Sequence, residues 1–243
     1  MTILQEILEY KKQEVLKQKQ QARSFYKVLQ AGKFALIAEV KKASPSKGII
    51  REDFNHIEIA QAYAKAGAAA ISVLTDEKFF KGNVQYLKDI RAITDLPILR
   101  KDFIIDEFQV YETKIIGADI ILLIVAALDK AQIKDYYDLS RELGLEVLVE
   151  VHDRKEFDTA VELGANIIGI NNRDLKTFEV NLQNTVNIIK EGIPEGVFVI
   201  SESGIQDNGD VKFLKENGVS GILVGEALMR EKNIETAVLN LLK

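Results

Sequence analysis

Cysteine and tryptophan are absent from this 243-residue sequence, and proline, histidine and methionine are scarce, at three, two and two residues. Without cysteine there is no disulfide, no thiolate metal site and no cysteine nucleophile, and a cytoplasmic location is expected. Two histidines leave little material for a chelating cluster, so only metal chemistry through oxygen ligands stays open. Three prolines supply no Pro-rich linker. Long apolar runs are missing too. The longest, Ile120 to Leu128, is far too short to cross a bilayer, and Met1 to Lys19 alternates Leu and Ile with Glu, Gln and Lys. No export signal or membrane span is expected. A basic excess is also lacking: 32 Lys and Arg against 37 Asp and Glu give a net charge of −5, which argues against a nucleic-acid partner.

What remains is 47% hydrophobic and 28% charged, the balance of a globular protein with a sizeable core. A phrase recurs about every fifty residues, in which a helical stretch ends in glycine and an apolar run follows. It reads AKAGAAAISVLTD around Gly67, KIIGADIILLIV around Gly117, VELGANIIGINN around Gly164 and KENGVSGILVGE around Gly218. Glycine suits the left-handed residue that stops a helix, and the β-branched run suits a strand buried on both faces. One further apolar segment precedes each phrase. Strands are therefore predicted to begin near residues 36, 69, 97, 119, 146, 167, 197 and 221. Helical spacing of apolar residues marks Asp53 to Lys65, Asp106 to Ile116, Asp153 to Leu163 and Asp207 to Asn217. Eight strands alternating with helices in this length predict a single α/β domain over residues 1–243, a (β/α)8 TIM barrel. The rival open sheet lacks a G-x-G-x-x-G after its first strand. Residues 1–33 stand outside the repeat as an N-terminal helical extension, with Ile3, Leu4, Ile7 and Leu8 on one face. They either plug the bottom of the barrel or lie over its mouth. The Lys/Gln-rich stretch Lys11 to Gln21 reads as a solvated helix face.

Active sites of this fold lie where the strands end, so polar residues closing apolar strands carry the information. Glu39 and Lys41 close strand 1, Arg100 and Lys101 strand 3, and Glu150 strand 5. Asn171, Asn172 and Arg173 close strand 6, and Glu202 and Ser203 strand 7. Lys41, Lys101 and Arg173 against Glu39, Glu150 and Glu202 suit acid–base chemistry on an anionic substrate. Ser203-Gly204 after strand 7 and Gly225-Glu226 after strand 8 read as a phosphate cradle, because glycine lets backbone N–H groups approach an anion. Ala43 to Gly48, with Ser46, is either a closing loop or a plain surface turn. His56 and His152 are read as cap or surface residues.

AEVKKASPSKG, SVLTDEKFFKG, LRKDFIIDEFQV, LVEVHD, INNRDL, SESGI and LVGEALM, beginning at Ala38, Ser72, Leu99, Leu148, Ile170, Ser201 and Leu223, resemble the indole-3-glycerol phosphate synthase family. The resemblance spans essentially the whole chain and suggests the monofunctional bacterial form. It implies ring closure, decarboxylation and dehydration of 1-(2-carboxyphenylamino)-1-deoxyribulose 5-phosphate, without a cofactor, in a cytoplasmic monomer or weak homodimer. By the same resemblance Lys101 is the general acid and Glu150 its carboxylate partner and base. Lys41 and Glu39 are a pair for the substrate carboxylate and the dehydration. Asn171, Arg173, Glu202, Ser203, Ser46, Phe80 and Phe103 contact substrate, the two phenylalanines near its aromatic ring. Ser203, Gly204, Gly225 and Glu226 take the phosphate. Phosphoribosylanthranilate isomerases share fold and substrate class, but use a cysteine that this chain lacks. A Schiff-base aldolase and a non-catalytic barrel are the other rivals.

Overall fold

The computed structural model of the protein describes residues 3–20, 23–174 and 177–243. Eight parallel strands close into a barrel: β1 (Ala35–Val40), β2 (Ala70–Leu74), β3 (Ile98–Lys101), β4 (Ile120–Ile124), β5 (Glu146–Val151), β6 (Ile167–Asn171), β7 (Phe198–Glu202) and β8 (Gly221–Val224). Each pairs with its neighbours in sequence, and β8 closes on β1 from Ala35↔Gly221 to Ala38↔Val224. Every strand starts within one residue of its predicted position.

Local chemistry explains the boundaries. Asp106, Asp153 and Asp207 each turn a carboxylate back onto backbone N–H groups of the helix they open, satisfying donors that have no partner inside it. The helix predicted from Asp53 begins instead at His56, because Asn55 takes the capping role and Asp53 pairs with Arg51. At the other ends Gly67, Gly117, Gly164 and Gly218 all hold φ between +84° and +92°, the left-handed stop that the repeat requires.

Alternation along the strands divides the apolar residues into two cores. One lies between strands and outer helices and holds Ile71, Ile121, Val149, Ile168 and Val199. The other fills the barrel with Ile37, Leu99, Leu122, Leu148, Ile200 and Leu223, and is continuous with Phe25 and Leu29. Those two belong to a short helix, α2 (Phe25–Gln30), that follows α1 (Ile3–Gln20). Glu146, at the start of β5, accepts bonds from the Ser24 hydroxyl and from the N–H groups of Phe25 and Tyr26. This anchors α2 beneath the barrel, where each buried apolar side chain contributes about 1.5–3 kcal/mol. The extension thus plugs the bottom. By contrast α1 leaves Ile3, Leu4, Ile7 and Leu8 at least half exposed. Lys11, Lys12 and Gln13 face solvent as expected, while residues 21 and 22 lie outside the described residues. Among the described residues no helix is long and apolar enough to cross a membrane.

Candidate active site

Consecutive residues of β3 point in opposite directions. Arg100 faces outward, where its guanidinium meets Thr75, Gln109, Thr113, Asp102 and Glu112. Lys101 faces inward at the mouth. Its Nζ lies 2.7 Å from Glu150 Oε2 and 2.6 Å from Glu202 Oε2, and Asn171 Nδ2 donates to Glu150 Oε1 at 3.0 Å. The ends of β3, β5, β6 and β7 thus converge on one ammonium. On the β1 side, Lys41 Nζ is 3.4 Å from Glu39 Oε2 and 5.4 Å from the centroid of the Phe80 ring. Phe80 in turn packs against Phe103 at 6.3 Å between centroids.

Two glycines make room for these buried carboxylates. Gly169 of β6 sits opposite Glu150 in register, and a Cβ there would overlap Glu202 Oε1. At Gly225, just past β8, a Cβ would come within 2.6 Å of Glu39 Oε2. A side chain at Gly225 would therefore displace Glu39. Its neighbour Glu226 directs its carboxylate to Arg230, 2.8 Å away and one turn along the same helix. Ser203 and Gly204 are both left-handed, with φ +65° and +86°. Such a conformation is rare for serine and is tolerated where the surroundings fix it.

Burial and pairing set the charges. Desolvation opposes the ammonium of Lys101, but Glu150 and Glu202 beside it reverse this and hold its pKa above the lysine range. Burial would raise Glu150, yet Lys101 beside it, together with His152 and Asn171, pulls it well below the usual carboxylate value. Glu202 goes the other way. Its desolvation outweighs the attraction of Lys101, nearby Glu150 adds repulsion, and the pKa rises to about 7. Its Oε1 is buried without a hydrogen-bond partner. One lysine therefore separates two carboxylates whose proton affinities have been driven apart, the pattern of an acid–base site.

These groups line one cavity of about 1130 Å³ that also includes Ser46, Arg173, Ser203, Gly204, Gly225 and Glu226. Ser46 is exposed on the small hairpin Ala43–Ser44/Gly48–Ile49, at the cavity's edge. Arg173 donates to the carbonyl of Phe178 and has no carboxylate partner among the described residues. Arg100 and Asn172, also read as strand-end polar residues, belong to the outer shell instead. Asn172 bonds to Ser201, Thr185 and the Glu202 and Ser203 carbonyls. Sequence reasoning missed Phe178 and Val180, which line the cavity from an irregular loop that has no periodicity to read. It also missed His152, which lies against Glu150 at 3.4 Å. Its place two residues after an inward-facing glutamate, on the same strand face, and just before a helix cap was the available signal.

A family model described as indole-3-glycerol phosphate synthase matches residues 3–241. Curated relatives carry the same description. The protein of Thermoanaerobacter pseudethanolicus is 47% identical over 94% of this chain and 92% of its own. That of Acetivibrio thermocellus is 54% identical over 85% and 79%, and that of Chlorobium phaeobacteroides 46% over 98% of both. Among solved structures, 3-hexulose-6-phosphate synthase from Salmonella typhimurium superposes with a TM-score of 0.69 at 14% identity, covering 86% of this chain and 97% of that one. At that identity the likeness speaks for the barrel alone. The sequence relatives speak for more: this chain belongs to the indole-3-glycerol phosphate synthase family.

Proposed function

We propose a division of labour for the family's reaction among the residues at this barrel mouth. As a member of that family the chain is a carboxy-lyase of tryptophan biosynthesis. In its reaction the aryl carbon bearing the carboxylate of 1-(2-carboxyphenylamino)-1-deoxyribulose 5-phosphate attacks the ketone. Carbon dioxide then leaves, the ring becomes aromatic again, and water is lost to give indole-3-glycerol phosphate.

Lys101 donates the proton that the ketone oxygen needs as the new bond forms. The observation that carries this is the position of its ammonium, held charged between Glu150 and Glu202 and pointing into the cavity. A donor fixed before the oxygen gains charge stabilises the transition state more than the ground state. Glu150 keeps the ammonium in place and serves as the base, with Asn171 orienting its second oxygen. Lys41 faces the substrate carboxylate and works with Glu39 in the dehydration. Phe80 and Phe103 pack the aromatic ring, a placement supported by their contact with each other and with Lys41. The phosphate goes to the loops after β7 and β8, a placement supported by Ser203, Gly204, Gly225 and Glu226 lining the same cavity as Lys101. Glu226, tied to Arg230, presents its backbone rather than its carboxylate. Ser46 and Arg173 approach the substrate from the rim. Every group named comes from one chain, so a monomer is the proposed working unit, and the cytoplasm is its proposed compartment.

Fluorescence-detected turnover of the carboxyphenylamino substrate tests this assignment. Indole-3-glycerol phosphate should form with wild-type protein and nearly vanish with Lys101→Ala at little cost in KM. Borohydride trapping of a lysine–substrate adduct would instead favour an aldolase.

A further inference from the structure

The reaction proposed above has a proton balance that its mouth residues alone do not close. The carboxylate leaves as neutral carbon dioxide, the ketone oxygen accepts a proton, and the dehydration returns as many protons as it uses. Each turnover therefore takes up one proton from solvent. Lys101 gives it, and the amine left behind must regain it before the next turnover.

Behind Glu150 runs a chain of groups that does not pass through the substrate cavity. His152, two residues on along β5 and its turn, is not among the residues lining it. Its Nε2 is 3.4 Å from Glu150 Oε1, and its Nδ1 is 3.1 Å from Glu156 Oε2. Glu156 also accepts the backbone N–H of His152 at 2.8 Å, fixing the ring's orientation. Side-chain exposure is 5% at Glu150, 15% at His152 and 20% at Glu156, so the chain leads outward to water. Among the described residues only Glu150 and Glu156 bring charge to the ring. Asn184, from helix Gln183–Ile189, donates to the His152 carbonyl, and the adjoining turn Val125–Ala127 is apolar.

We propose that Glu156, His152 and Glu150 form a proton-supply route that restores the charge of Lys101 from outside the barrel, with His152 as its positioning residue. The step balances. Once Lys101 has given up its proton, the imidazolium of His152 protonates the Glu150 carboxylate, Glu150 hands that proton to the Lys101 amine, and solvent restores the imidazolium through Glu156. Burial of the ring disfavours its charge, but the carboxylates of Glu150 and Glu156 on either side outweigh this and raise its pKa to about 9, so it is loaded at neutral pH. Nε2 is buried without a hydrogen bond, and a small shift toward Glu150 Oε1 completes the route.

The test is kcat and KM against pH for wild type, His152→Gln, His152→Ala and Glu156→Gln. The wild-type kcat should fall as pH passes about 9, where the imidazolium deprotonates. His152→Gln should lose at least about tenfold in kcat with KM little changed, and should lose that alkaline limb. Glu156→Gln should move the limb to lower pH. Added imidazole should restore kcat of His152→Ala saturably, in proportion to its protonated fraction. Superimposable pH profiles for wild type and His152→Gln would overturn the route. So would a pH-independent loss that imidazole does not repair, the mark of a merely structural residue. The inference rests on the reaction assigned above, and the two fail differently: inactive wild-type protein sinks the reaction, whereas active wild type with an indifferent His152 sinks the route alone.

Discussion

Arg100 and Lys101 are adjacent on one strand, both cationic, both largely buried, and they do opposite things. Arg100 spends all its guanidinium nitrogens on fixed partners: Thr75 at Nε, Gln109 and Thr113 at Nη1, Asp102 and Glu112 at Nη2. Nothing is left over, and the group fastens β3 to the helix Glu107–Ile115. Lys101 stands beside an open cavity, and one of its partners, Glu202, keeps an oxygen without a hydrogen bond. Burial of charge is common to both. A cavity beside the charge is what separates the site from the brace.

The comparison can be broken at either residue. The largest effect belongs to Lys101→Ala, for which kcat should fall by about a hundred- to ten-thousandfold. Its thermal midpoint should fall as well, because Glu150 and Glu202, at 5% and 2% side-chain exposure, lose their counter-ion, so kcat is read per folded molecule. Normal turnover would make the lysine a bystander. Arg100→Met should lose stability only, by about 3–5 kcal/mol, because Asp102 and Glu112 lose their buried counter-ion. Turnover per folded molecule should be close to wild type. Denaturant unfolding together with active-site titration separates the two quantities, and a stable, inactive Arg100→Met would erase the distinction drawn here.

A smaller effect tests the space around Glu202. Gly169→Ala puts a methyl where Glu202 Oε1 lies, so Glu202 must move away from Lys101. A loss of about tenfold in kcat, with KM less affected, is expected. Smallest is a pH effect on stability. Glu202 has its pKa raised from 4.5 to about 7 in the folded protein, so the fold favours its protonated form. That contribution is complete below the unfolded value and is lost as pH rises through about 7. Wild type should therefore lose thermal stability relative to Glu202→Gln between about pH 4.5 and 7, and a constant difference across that window would argue against the buried, proton-retaining carboxyl.

Arg100 and Lys101 also show what the sequence conveys. Period-two alternation separates their faces without a structure, and the glycine-terminated repeat locates four strands and frames the gaps that hold the other four. Lys101 and Glu150 could be read as one cluster because a closed barrel brings β3 and β5 to the same rim. The partners of Arg100 were not legible, since Thr75, Glu112 and Thr113 come together only through packing. Gly169 carries no signal of its own in the sequence, and its purpose emerges only once Glu202 occupies the space beside it. The choice between plug and cover for the N-terminal extension depended on Glu146, a strand-start carboxylate whose use is to hold α2. His152 was hidden for a related reason: its value lies in two contacts on either side of a turn.

The central claim is that Lys101 and Glu150 act as one unit. A double-mutant cycle on kcat, with Lys101→Ala, Glu150→Gln and the pair, measures it directly. Because the two groups share a 2.7 Å ion pair, the double variant should lose little more than Lys101→Ala alone. Losses that multiply would contradict the pairing and place Glu150 on a separate step of the reaction.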